Sequence, residues 1–167
     1  INNIKNNVKF IKGDIRDQKQ FNKALKNTDA VIHLAYINGT KFFYTKPDLV
    51  LDVAIKGISN VIDGCIKNKV KELYLASSSE VYQTPSKIPT TESESLKVPD
   101  IFNPRYSYGG GKILTELMGI HYGKKYFNKL IIFRPHNVYG KDMGFEHVIP
   151  EFINRFKKLK GKKFKIQ

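Results

Sequence analysis

The sequence predicts an α/β fold, a doubly wound parallel sheet with helices packed over it. Three observations carry this expectation: strand-like and helix-like segments alternate, one strand is a continuous apolar run, and a cluster of hydroxyls directly follows another. Strands alternating with crossover helices imply a parallel sheet with right-handed connections.

Taken in order, Val8, Phe10 and Ile11 alternate with lysines before Gly13, so residues 8–12 read as a strand. Residues 17–27 read as a helix with Asp17 as its N-cap and Phe21 and Leu25 at helical spacing. Residues 30–35, Ala-Val-Ile-His-Leu-Ala, form an unbroken apolar run expected of a strand covered on both faces. Pro47–Lys67 carries a helical stripe of Leu49, Val53, Ile58, Val61 and Ile62. Glu72–Ala76 is the next strand, followed by Ser77, Ser78 and Ser79. Residues 82–104, rich in Pro, Ser, Thr and Glu, have no periodicity, and loops of that length are often functional. A helix over 105–127, a strand over Lys129–Phe133 and a helix over Val148–Leu159 complete the series, with no repeat and no domain linker.

Composition narrows the functional classes. With 167 residues, 41% hydrophobic and 26% charged, the chain is long enough for one domain with a core. No apolar run approaches the roughly 18–20 residues a membrane helix needs. The first residues show no signal-peptide pattern, and the single Cys65 permits no internal disulfide. A cytoplasmic protein without membrane segments is the expectation, and no metal site is expected. The net charge of +14 comes mainly from scattered lysines, the arginines being Arg16, Arg105, Arg134 and Arg155. The exception is a cluster at Lys157, Lys158, Lys160, Lys162, Lys163 and Lys165. Nucleic-acid readers concentrate charge on one face and use arginine for bidentate contacts, so no nucleic-acid partner is expected. The positive potential would still draw anionic substrates.

Two constellations bear chemistry. Tyr108 and Lys112 stand four apart on a helix and so share a face. An ammonium beside a phenol favours the phenolate, which would make Tyr108 a usable acid or base. On spacing alone such a pair is more often incidental. Gly109, Gly110 and Gly111 between them add weight, because each disfavours helix by roughly 1 kcal/mol and close backbone approach is a reason to keep them. They are not a phosphate loop: Tyr106 and Ile113 stand where that pattern requires glycine and Ser or Thr. The second constellation is Ala76 to Tyr82 at the carboxyl end of a strand, where ligands of open α/β sheets sit. Its hydroxyls could hold a substrate oxygen and Glu80 could act as acid or base, or the segment could be a serine-rich turn.

The order Ser77-Ser78-Ser79-Glu80-Val81-Tyr82, then Tyr108 and Lys112, then Arg134-Pro135-His136-Asn137-Val138-Tyr139-Gly140, resembles the extended short-chain dehydrogenase/reductases. Within them it is similar to the NAD-dependent epimerase/dehydratase family that acts on nucleotide sugars. Gly13 to Asp17 resembles that family's turn after its third strand, and Ala30 to Ala35 its fourth strand. The resemblance implies a Rossmann-like fold, an NAD cofactor and a nucleotide-sugar substrate processed through a transient keto-sugar. It leaves NADP open. It implies Tyr108 as the proton-transfer group, with Lys112 lowering its pKa and binding the nicotinamide ribose. Ser78 takes the position that bonds the substrate hydroxyl, and Ser79 and Glu80 those of the additional acid/base groups of dehydratases and decarboxylases. It places Asp14 and Ile15 at the adenine; Leu34, Ala35 and Tyr36 along the ribose and phosphates; and Ala76, Ser77, Pro135 and His136 near the cofactor. Asn137 falls on the substrate side, and His147 is a further candidate there. The resemblance further implies a homodimer through helices near 47–67 and 105–127.

Two departures qualify it. No segment fits the family's glycine-rich pyrophosphate turn, so the chain is expected to be an incomplete dinucleotide-binding domain, with about the last 20 residues leading into a substrate lobe. Ala54 stands where many members carry asparagine, and Tyr36 where a small residue is usual. A decarboxylase or reductase of the same superfamily, or a non-catalytic dinucleotide-binding regulator, is the alternative reading.

Overall fold

The computed structural model describes residues 7–140, 143–144 and 147–159. It contains two compact units, Ile1–His136 and Asn137–Gln167, each described by itself. Lys160, Lys162, Lys163 and Lys165 of the basic cluster, and the first six residues, lie outside the described residues.

The first unit holds a parallel sheet of three strands in the order β1 (Ala30–His33), β2 (Glu72–Ala76) and β3 (Lys129–Phe133). Ala30 to His33 pair with Glu72 to Leu75, and Glu72 to Ala76 pair with Lys129 to Phe133. The register brings the carboxyl ends of all three strands to one edge. The α1 helix (Gln18–Ala24) precedes β1, and the Asp17 side chain accepts from the amides of Lys19 and Gln20 as its N-cap. Two helices, α2 (Thr40–Thr45) and α3 (Pro47–Lys67), separate β1 from β2. Single 3-10 turns at Ser79–Val81 and Pro104–Tyr106 bracket the long loop, and α4 (Ser107–Tyr126) leads into β3.

Apolar spacing dictates the packing. Ile58, Val61, Ile62 and Cys65 of α3 close over Val31, Leu73 and Leu75 of the sheet, with Leu25, Phe21 and Met118 at the margins. Side chains buried this completely contribute about 1.5–3 kcal/mol each. The α3 stripe matches the expected one, with Val50 buried and Leu49 only half-buried. The helices pack against one face of the sheet. Val31 and His33 of β1 are buried while Ile32 is 63% exposed, so the apolar run at 30–35 is covered on one face and not on both.

Residues 8–12 do not form the expected strand. Strand geometry persists only with a ladder partner, and β1, β2 and β3 pair only with one another. Phe10 remains 86% exposed. Conversely, α2 was not legible from periodicity, and it starts at Gly39, whose φ of 111° L-residues rarely adopt.

The second unit contains α5 (Val148–Leu159), at the bounds the pattern predicts. Val148, Ile149, Ile153 and Phe156 are exposed on it, and Lys157 and Lys158 sit in its last turn. Among the described residues no helix is long and apolar enough to cross a membrane.

At Gly111, α4 comes close to α3: a Cβ there would lie 2.9 Å from the Ala54 Cβ and would run into the Tyr36 hydroxyl. Ala54 and Tyr36, the two departures noted in the sequence, therefore both pack on this glycine. Gly111→Ala is expected to lower stability by about 1–3 kcal/mol, overpacking outweighing the roughly 1 kcal/mol that alanine gains in helix propensity. Urea denaturation measures this, and a gain in stability would contradict the packing argument.

Candidate active site

Past β2 the chain runs straight onto the inner face of α4. Lys112, only 4% exposed, donates from Nζ to the Ala76 carbonyl at 2.7 Å. The Ser77 hydroxyl donates to Glu116, which is 2% exposed. The Ser78 hydroxyl pulls the pKa of the Tyr108 phenol down. Ala76 and Ser77 are thus tethered to two α4 side chains four apart, and Ser78 acts on a third one turn earlier. The strand end is fixed from the other side as well, with the Ser77 amide donating to the Phe133 carbonyl at 2.8 Å and the Ser79 amide to that of Pro135 at 3.1 Å.

Burying two opposite charges on one helix face is costly unless each is compensated. Arg134, following β3, compensates Glu116 through paired bonds of 2.8 and 2.6 Å to its two oxygens. The same guanidinium donates to the Tyr82 hydroxyl at 2.6 Å and to the Glu92 carbonyl at 3.0 Å, anchoring the long loop. Lys112 has the Ala76 carbonyl and the Tyr36 ring, 4.0 Å from its Nζ. Burial depresses its pKa to about 8.

Tyr108 is enclosed by aromatic rings. Tyr36 meets it edge-on at 5.2 Å, and Phe43 of α2 stacks on it at 4.9 Å. The expectation that Lys112 lowers its pKa is not met. Burial is the largest influence and raises it, the Ser78 bond pulls it down, and Glu80 pushes it up. Lys112 stands 5.7 Å from the ring, with its ammonium directed to Ala76. The Glu80 amide donates to Ser78 Oγ at 3.2 Å, which fixes the serine side chain. Glu80 itself is held by Arg105, one terminal nitrogen of which reaches both carboxylate oxygens at 2.8 Å.

The structure therefore brings together Ala76, Ser77, Ser78, Glu80, Tyr108, Lys112 and Tyr36, with Ser79 bonded to Pro135. Leu34 and Ala35 are exposed just past β1, and His136 is exposed past β3. Asp14 lies on the turn docked against α3, where Arg16 bridges it to Asp52 at 2.7 and 2.8 Å. The Arg16 bonds lower the Asp14 pKa to about 2. The Ile15 side chain of that turn packs on Gly57. Asn137 and His147 belong to the second unit, where both are exposed. Cys65 is a free thiol buried in α3, its pKa pushed up to about 12 by burial. Among the described residues no group of three His, Cys, Asp or Glu side chains could hold a metal ion.

Sequence reasoning missed Phe43, Glu116 and the pairing of Arg105 with Glu80. Glu116 could have been found, since it follows Lys112 by four and Tyr108 by eight on the same face.

The sequence model of the NAD dependent epimerase/dehydratase family matches residues 2–167. The chain is 31% identical over 152 residues to UDP-N-acetyl-alpha-D-glucosaminuronate decarboxylase of Bacillus cytotoxicus, covering 88% of this chain and 46% of that protein. Among solved structures it is similar to UDP-N-acetylglucosamine 4-epimerase from Methanobrevibacter ruminantium M1, with a TM-score of 0.75, 26% identity, and coverage of 89% of this chain and 47% of the other. It is also similar to UDP-glucose 4-epimerase from Brucella ovis in complex with NAD, with a TM-score of 0.70, 27% identity, and coverage of 80% and 40%. The chain spans about half the length of the curated relatives it matches.

His33, 6% exposed at the end of β1, has its pKa lowered from 6.5 to about 4 by burial and by Lys112. The folded state thus holds this imidazole neutral, while the unfolded chain protonates it below 6.5. Its contribution is complete above pH 6.5 and is lost as pH falls toward 4, by up to roughly 3 kcal/mol. Urea midpoints measured across that window should fall for the native chain and fall less for His33→Asn.

Proposed function

The chain belongs to the NAD dependent epimerase/dehydratase family, and on that premise we propose that it acts on a nucleotide sugar through a transient keto-sugar, with Tyr108 moving the hydroxyl proton. The observation that carries this reading is the tethering of Ala76 and Ser77 to Lys112 and Glu116, with the Ser78 hydroxyl acting on the Tyr108 phenol. The three similar proteins described above act, by their names, on UDP-sugars, which supports the substrate class.

The residues at the strand ends fit a dinucleotide. The Tyr36 hydroxyl is buried without a hydrogen-bond partner, and the Lys112 ammonium lies against the same ring, which supports ribose or phosphate oxygens as their partners. Bound there, NAD (with NADP left open) supplies hydride acceptance and return. Lys112, Tyr36, Leu34, Ala35, Ala76, Ser77, Pro135 and His136 would hold it, with Asp14 and Ile15 toward the adenine. The domain assignment is part of this reading: residues 1–167 form a partial NAD(P)-binding domain whose last stretch leads into a substrate lobe.

On the sugar, Ser78 orients the reacting hydroxyl and passes its proton to or from Tyr108. To take the hydroxyl proton as hydride leaves the same carbon, Tyr108 must be in its phenolate form, which burial disfavours, and it gives that proton back when the keto-sugar is re-reduced. Ser79 and Glu80 flank this pair, and Asn137 and His147 are the substrate-side candidates. Glu80 beside the serines, together with the 31% identity to a decarboxylase, favours loss of carbon dioxide as the second reading. A regulator without catalysis is disfavoured because Tyr108 and Lys112 are both retained. The setting is cytoplasmic, in keeping with the free Cys65 thiol.

Turnover of a UDP-sugar panel with NAD should fall by about 100-fold or more in Tyr108→Phe, the scale of a lost acid/base group. Undiminished turnover in that variant would sink the assignment.

A second copy of the chain is the proposed partner, paired through α3 and α4. Leu51 and Ile55 on α3 and Leu117 and Tyr122 on α4 remain exposed, which supports it. Sedimentation equilibrium should show a dimer that Ile55→Glu dissociates; a native chain that is monomeric at every concentration removes this part of the proposal.

A further inference from the structure

We propose that Arg105 and Phe43 are positioning residues for Tyr108: Arg105 neutralises Glu80 beside the phenol and, through Phe43, clamps the short α2 helix over the tyrosine ring. This rests on the reading of Tyr108 as the proton-transfer group.

The geometry is a continuous stack. The Arg105 guanidinium carbon lies 5.3 Å from the centroid of the Phe43 ring. Phe43 is in turn stacked on Tyr108 at 4.9 Å with the rings inclined by 27°. Beyond Tyr108 the stack continues edge-on to Tyr36 and ends under the Lys112 ammonium. A cation therefore caps each end of a three-ring column with Tyr108 at its centre. Cation–π contacts contribute most where both groups are desolvated.

The column also bears on α2. Its six residues include threonines and aromatics, its N-cap makes no side-chain bond, and Phe43 is its only buried residue. Isolated helices of this length do not hold together. Phe43, held between a guanidinium and a phenol, ties α2 to the start of α4.

Arg105 has a second task. Its one terminal nitrogen engages both oxygens of Glu80, while the other is buried without a partner. The backbone of Glu80 is itself packed against α4 one residue past Tyr108, where a Cβ on Gly109 would come within 3.2 Å of the Glu80 carbonyl. The charged and titratable groups facing the phenol are therefore Glu80 past β2, Arg105 before α4, Lys112 on α4 and Tyr36 past β1, together with the Ser78 hydroxyl. Glu80 opposes phenolate formation, and the Arg105 guanidinium, which engages both its carboxylate oxygens, offsets part of that field.

The test is a titration of Tyr108 that needs no turnover. The chain is prepared with 3-fluorotyrosine, whose more acidic phenol brings the midpoint into an accessible range, and the Tyr108 fluorine resonance is assigned by its loss in Tyr108→Phe. Arg105→Gln should raise the Tyr108 midpoint by about one pH unit, a tenfold change in acid constant, by exposing Glu80. Glu80→Gln should lower it, and Arg105→Gln added to Glu80→Gln should change it by less than about twofold. An unmoved midpoint in Arg105→Gln, or an equal rise when Glu80 is absent, overturns the electrostatic role. Arg105→Lys keeps the charge and loses the flat stack. It should leave the midpoint near its native value while amides 40–45 exchange faster with deuterium. Unchanged exchange there overturns the clamp. Failure of the acid/base reading would instead appear as full turnover in Tyr108→Phe, independent of either result.

Discussion

The first unit is organised around two buried, opposite charges one turn apart on α4. Lys112 and Glu116 are both almost inaccessible to water, where leaving either without partners would be costly. Each is satisfied by the residues that leave β2: the Ala76 carbonyl takes the ammonium, and the Ser77 hydroxyl and Arg134 take the carboxylate. The helix can lie so close to the sheet because Gly119 and Gly123 present no side chain: a Cβ on Gly119 would run into Leu75, and one on Gly123 into Leu130. Packing, charge compensation and the placement of Ser78 beside Tyr108 are therefore one constraint.

This constraint also decides where the loop goes. Arg134 carries a charge from the end of β3 to Glu116 and uses its remaining donors on Tyr82 and on the Glu92 carbonyl. A long loop with few apolar residues has little hydrophobic reason to adopt one path. Here a guanidinium already fixed by a buried carboxylate supplies the anchor, and charge-assisted bonds of this kind are stronger than neutral ones. On the opposite side of the tyrosine, Arg105 does the same for α2, through a ring instead of a carbonyl. Two arginines outside the tyrosine motif thus hold the two irregular segments that flank it.

Much of the framework was legible because it is written in periodicity. Pro47–Lys67, Glu72–Ala76, Lys129–Phe133 and Val148–Leu159 occur where the apolar patterns place them. What was not legible depends on partners distant in sequence. Val8, Phe10 and Ile11 have the alternation of a strand, but alternation does not supply a neighbouring strand. The Thr-Lys-Phe-Phe-Tyr-Thr run of α2 has poor helix formers, and it packs against α3 and against the turn before α4, the latter distant in sequence. Glu116 reads as a solvated charge until Arg134, 18 residues later, is seen to meet it. The tyrosine and serines were legible as a set through their order along the chain, whereas the contacts that orient them were not.

The same distinction explains the sign of the Tyr108 perturbation. Spacing places Lys112 on the same helix face, which argues for a lowered pKa, but spacing does not say which acceptor the ammonium chooses. The Ala76 carbonyl, at the end of a strand and 2.7 Å away, wins that competition. The phenol is left with desolvation and Glu80 on one side and Ser78 on the other, and desolvation dominates. A group balanced in this way is tuned by whatever alters its neighbours' charge, because its acidity is not fixed by a single bond. That makes the ion pair next to it, Glu80 with Arg105, as consequential for proton transfer as the lysine four residues along the helix.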